Sequence, residues 1–249
     1  MEFDLNFFMW AVPAVLFAAV SKSGFGSGAS FASAAILALV LTPGEALGVM
    51  LPLLMLVDVT SLKPYWRKWD WGASKAVIIG AIPGVAMGAA LYAFVPADLF
   101  RLMIGLMCLL FVGWRWAGAL GWLRADRRPI SNILGGLSGF VGGFTSFVAH
   151  AGGPPVAMYL LRLGRDKTTF QASTILIFWG INGMKFIPYA FLGIFTWQTM
   201  LADLFLAPVA IFGAWLGVRA HYLISERAFF TLSYVLLVLT GLRLIWIAV

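Results

Sequence analysis

Apolar residues run through the chain in long stretches, and nearly all the charge lies in the short breaks between them. The pattern predicts helical spans at positions 8–20, 29–41, 45–62, 73–94 and 99–120, then 130–149, 155–161, 168–191, 199–218 and 228–249. The uninterrupted ones are about 18–24 residues long, enough at about 1.5 Å per residue to cross roughly 30 Å of hydrocarbon. None alternates with a period of two, which excludes a transmembrane barrel.

Two of the apolar runs are interrupted. The first break is Ser21-Lys22-Ser23-Gly24-Phe25-Gly26-Ser27-Gly28-Ala29-Ser30, and the second is Thr145-Ser146-Phe147-Val148-Ala149-His150-Ala151-Gly152-Gly153-Pro154-Pro155. Polar side chains and irregular backbone survive at membrane depth only where protein or a wet cavity surrounds them. The pieces beside the first break are short, about 13 residues or roughly 20 Å, so half-membrane helices meeting at a tip are expected. The two breaks are expected to form halves of one mid-depth site.

The chain also repeats itself. A shift of 124 places Gly28, Leu37, Pro64 and Tyr65 on Gly152, Leu161, Pro188 and Tyr189, and Asp58 on Asn182. Later matches drift by one or two positions, as Pro83 to Pro208 and Arg101 to Arg227. A first repeat over 1–123 and a second over 124–249, in one membrane domain, is the reading. Cations cluster at 63–68, 115–128, 162–167 and 219–227, whereas the N-terminus, 42–45 and 190–196 carry none. If each broken segment enters and leaves on one side, all four cation-rich loops are cytoplasmic and both termini periplasmic. The expected architecture is an all-α integral membrane protein of two inverted repeats, each a broken or re-entrant hairpin plus three transmembrane helices.

Composition narrows the function classes. Of 249 residues, 62% are hydrophobic and 11% charged, well below the quarter expected of a soluble domain. The net charge of +7 sits in loops between spans, which suits a membrane topology and gives no reason to expect nucleic acid. A single Cys108 permits no disulfide within the chain and no thiolate metal site. The N-terminus is acidic and has no basic leader, so the first hydrophobic segment is expected to be retained. No cofactor or metal is expected.

Interrupted helices in inverted repeats are a recurring transporter plan, because a helix that begins inside the membrane aims free N–H groups at the break. Half-helices opening at Gly28-Ala29-Ser30 and at Pro154-Pro155 would favour a small anion, with Lys22 as its counter-charge and His150 as a titratable neighbour. Candidate binding residues are Lys22, Ser23, Gly26, Ser27, Gly28, Ser146, His150, Gly152 and Gly153. Asp58, Asn182 and Lys185 form a second polar set for coupling, for which an Asp–Lys pair or a headgroup contact is the plainer account. The glycines can equally serve helix packing, Lys22 can snorkel, and the serines and Thr145 can bond to nearby carbonyls. A channel, or a carrier for another small anion or a cation, stays open within transport. An intramembrane hydrolase using Ser27 and His150 finds no G-x-S-x-G or H-E-x-x-H, so an enzyme is not expected.

The glycine-rich breaks Ser23-Gly24-Phe25-Gly26-Ser27-Gly28 and Ala151-Gly152-Gly153-Pro154-Pro155, with the chain's length and two-fold repetition, resemble the sulfite exporter TauE/SafE family of bacterial membrane transporters. The resemblance implies export of sulfite or small organosulfonate anions across the bacterial inner membrane. The chain departs from the family's consecutive glycines by adding Lys22, His150 and Pro154-Pro155, which leaves the anion open. The expected partners are that anion and the lipid bilayer, with a homodimer left open.

Overall fold

The computed structural model of the chain describes residues 3–25, 31–92, 94–121, 131–223 and 226–249. Among them there are ten helices and no strand. The first five are α1 (Leu5–Gly24), α2 (Phe31–Leu37), α3 (Pro43–Leu62), α4 (Trp71–Tyr92) and α5 (Ala97–Ala119). The second five are α6 (Asn132–Ala149), α7 (Gly153–Arg162), α8 (Lys167–Phe191), α9 (Trp197–Leu223) and α10 (Glu226–Ala248). Six of them, α1, α3, α4, α5, α6 and α9, are long and apolar enough to cross a membrane. The 25 residues of α8 match them in length, but Gln171, Ser173, Thr174, Asn182 and Lys185 interrupt its apolar run, and all five are buried.

The expected pair of half-length pieces at the first break is not what forms. Helix α1 continues through Ser21, Lys22, Ser23 and Gly24 for 20 residues, and the short partner α2 has only seven. Serine and lysine do not break a buried helix when their polar atoms are answered. Ser23 Oγ donates back to Ala19 O at 2.6 Å, and the Lys22 stem lies against neighbouring helices. The second break has the same form, 18 residues in α6 followed by ten in α7.

Both pairs fold back on themselves. Ser138 Oγ of α6 donates to Pro155 O of α7 at 2.7 Å, and a Cβ on Gly135 would stand 2.8 Å from the Tyr159 ring, so α7 retraces α6. Asp4 and Asn6 at the start of α1 line one cleft of about 410 Å³ with Leu41, Thr42 and Glu45, beyond the end of α2. Ile247, near the other end of the chain, lines it too. A second cleft of about 670 Å³, lined by Arg67, Lys68, Asp70 and Arg165, lies past the other end of α3. Three cation-bearing segments gather on that face: Arg165 pairs with Asp70 at 2.9 Å, and Lys167 Nζ donates to His221 O at 3.0 Å. Helix α3, about 30 Å long, separates the two faces.

Glycine sets the closest crossings. On α4 and α6, Gly80, Gly84, Gly139 and Gly143 bring backbone against backbone; a Cβ on Gly143 would stand 2.6 Å from Ala81 O. Helices α1 and α9 cross in the same manner, with Gly217 against Val20 O and Gly213 against Ala19. Such small-residue crossings are how membrane helices approach closely without a hydrophobic driving force between them.

Candidate functional site

The buried polar residues lie along α3 and α8, which run in opposite directions. Near the start of α3, Gly48 faces Ile194 O just beyond α8; past its end, the Asp70 amide donates to Ser173 Oγ near the start of α8, at 2.9 Å. At the α1 end, Lys22 is 2% exposed and its ammonium donates to Asp58 Oδ2 at 2.8 Å and to Leu54 O at 3.4 Å. Gln171 Nε2 of α8 donates to Lys22 O at 2.8 Å. Asp58 is fully buried, and Asn182 Nδ2 donates to the same carboxylate oxygen, also at 2.8 Å. The other oxygen, Asp58 Oδ1, has no hydrogen-bond partner among the described residues.

At the α6 end the cation comes from α8. Lys185 Nζ donates to Ser146 O and Ser146 Oγ, each at 3.0 Å, and to His150 Nδ1 at 2.8 Å. An ammonium has no lone pair, so Nδ1 accepts and the ring proton sits on Nε2, turned toward Leu47 O at 3.4 Å. His150 closes α6 in the left-handed conformation, φ 53°, ψ 19°, a place that usually falls to glycine or asparagine. Behind it, α7 opens on Gly153, and Pro154 and Pro155 have no N–H, which leaves Gly152 and Gly153 as the free donors of its first turn. Gly152 packs on Ser146, where a Cβ would stand 2.9 Å from the serine Cβ.

Side chains from the two breaks meet around the middle of α8: the Phe178 ring lies 5.8 Å from Lys22 Nζ and packs against Gly152, and Asn182 stands three residues from Lys185. What joins the two regions is side-chain chemistry, the Asp58–Asn182 bond between α3 and α8. Lys22, expected as the anion's counter-charge, is paired inside the protein with the Asp58 carboxylate. Neither Lys22 nor Asp58 reaches a headgroup, both being shut away from the surface. Gly26, Ser27 and Gly28 lie outside the described residues, as does the expected helix start at Gly28-Ala29-Ser30. Thr145, Thr60 and Thr174 bond to carbonyls one turn back within their own helices.

Sequence reasoning overlooked a pair of tyrosines. Tyr65 OH donates to Ser23 O at 3.1 Å, and Tyr189 OH donates to Phe147 O at 2.7 Å, each closing an otherwise unanswered carbonyl in the last turn of α1 or α6. Both bonds span 42 residues and the tyrosines are 124 apart, so the signal was present in the repeat. His221 was overlooked as well; its Nδ1 donates to Gly24 O at 2.6 Å, far away in sequence.

No curated protein and no solved structure matches the chain. The family described as sulfite exporter TauE/SafE matches residues 11–244, nearly the whole length. With that match and its apolar helices, this multi-pass membrane protein belongs to the sulfite exporter TauE/SafE family.

Proposed function

We propose that the protein is a secondary carrier for a small sulfur-containing anion, sulfite or an organosulfonate, in a bacterial inner membrane. The observation that carries this reading is that two buried lysines, Lys22 and Lys185, stand with one buried carboxylate, Asp58, whose bond to Asn182 links their surroundings. A charge kept out of water needs a partner of opposite sign, and a bound anion supplies one. The binding residues in this reading are Lys185, Ser146 and His150, with the amides of Gly152 and Gly153 beside them.

Two further features support a carrier over an open pore. Lys22, Asp58, Ser146, His150, Asn182 and Lys185 are all at most 5% exposed, so the site is closed to both faces. Access then requires movement. The paired hairpins and the matching tyrosine bonds favour two repeats of opposite orientation, with termini periplasmic and basic loops cytoplasmic. The test is counterflow of radiolabelled sulfite in proteoliposomes. Saturable uptake, accelerated by unlabelled sulfite on the far side, is expected; a rate linear in concentration and unaffected by trans substrate would refute the carrier.

A further inference from the structure

The two halves treat their buried lysines differently. In each half one ammonium bridges the last turn of the long broken helix and the polar helix beside it: α1 with α3, and α6 with α8. In the first half the lysine springs from the broken helix, as Lys22. In the second it springs from the polar helix, as Lys185, and the position corresponding to Lys22 is Ser146, which accepts from that lysine. The decisive difference is at the position that answers the charge. Asp58 in the first half corresponds to Asn182 in the second, a change from carboxylate to amide with almost no change in shape. Lys185 therefore meets a carbonyl, a hydroxyl and an imidazole nitrogen, all neutral acceptors.

We propose that Lys185, Ser146 and His150 form the substrate subsite, that it takes a singly charged oxyanion, and that Asp58 holds the first half permanently in the state the substrate confers on the second. This rests on the anion-carrier reading above and gives it a position and a charge rule. Lys22 is answered by Asp58 within the protein and binds no substrate. The surplus is one positive charge, so a monoanion such as bisulfite or an alkanesulfonate neutralises the cluster. A dianion leaves it negative by one, in surroundings where an unanswered charge is strongly disfavoured. A sulfonate head also suits the donors present: an ammonium whose side-chain acceptors can be displaced, and the Ser146 hydroxyl.

The test is binding to the purified full-length protein in lipid nanodiscs, followed by thermal shift with methanesulfonate, bisulfite and sulfate at matched ionic strength. The wild type is expected to be stabilised by both monoanions and not by sulfate. Lys185→Gln should weaken methanesulfonate binding at least about tenfold, while the double variant Lys22→Met/Asp58→Leu should bind within about threefold of wild type. Ser146→Asp sets a carboxylate beside Lys185, where the serine hydroxyl now accepts at 3.0 Å, and makes the cluster neutral, so it should lose the methanesulfonate response. Should Lys185→Gln fail to fold, Ser146→Asp decides. Wild-type affinity in Lys185→Gln or Ser146→Asp, lost binding in the double variant, or equal stabilisation by sulfate would each overturn the subsite while leaving anion transport standing. A wild type that responds to no anion would overturn both.

Discussion

The buried Lys22–Asp58 pair offers the sharpest check on the energetics. Its members are 2% and 0% exposed and 2.8 Å apart, so neither charge can turn to water when the other is removed. Lys22→Met leaves a carboxylate held only by Asn182, with Oδ1 already unanswered. Losing one member of such a pair costs about 3–5 kcal/mol. Replacing both, as Lys22→Met/Asp58→Leu, removes the desolvation penalty, and similar exchanges elsewhere are neutral or stabilising by about 1–4 kcal/mol. Against this stands the donor of Asn182, left without its acceptor at about 1–3 kcal/mol. The double variant should therefore lie close to wild type and well above the single one. The assay is reversible unfolding in mixed micelles by graded SDS, read by tryptophan fluorescence. A single variant within about 1 kcal/mol of wild type, or a double variant no better than the single, would refute the reasoning.

Other predictions follow from separate parts of the structure. Lys185→Met removes a buried charge but also the donor to Ser146 O, Ser146 Oγ and His150 Nδ1, so it should cost about 1–3 kcal/mol in the same SDS titration, less than Lys22→Met. Tyr65→Phe and Tyr189→Phe each leave a helix-end carbonyl unbonded and should cost similar amounts, about 1–3 kcal/mol, measured in the same way. Gly143→Val drives a branched side chain into the Ala81 backbone and should cost more than either, seen as lost folded yield and a lower melting temperature in detergent. At the exposed start of α8, hydrogen bonds from Thr169 hold the Asp166 carboxyl below its ordinary range. Its capping contribution is thus fully present above the ordinary carboxylate pKa and lost as pH falls through the lowered one. The protection of the Thr168 and Thr169 amides from hydrogen exchange, relative to an unstructured peptide at the same pH, should fall only in that acidic window.

The positions of the ten helices could be read from hydropathy, because lipid demands long apolar runs and the loops carry the charge. The second break was legible to within a residue or two: Pro154 and Pro155 cannot continue α6 and sit well in the first turn of α7. The first break was placed too early, since Lys22 and Ser23 look like breakers until their bonds to Leu54, Asp58 and Ala19 are seen. Composition could show that Lys22, Asp58, Asn182 and Lys185 were unusual at depth. It could not show which lysine faced the carboxylate, because that depends on how two antiparallel helices are set beside two broken ones.

The glycine crossings have a consequence for how the molecule is divided. The long broken helix of each half lies along a helix of the other, α1 on α9 and α6 on α4, with no room between them for even a methyl group at several points. Sequence order and packing order therefore disagree: helices from early in the chain are locked to helices from late in it, α1 to α9 and α4 to α6. Nicking the chain once between α5 and α6 would leave neither fragment able to come away intact.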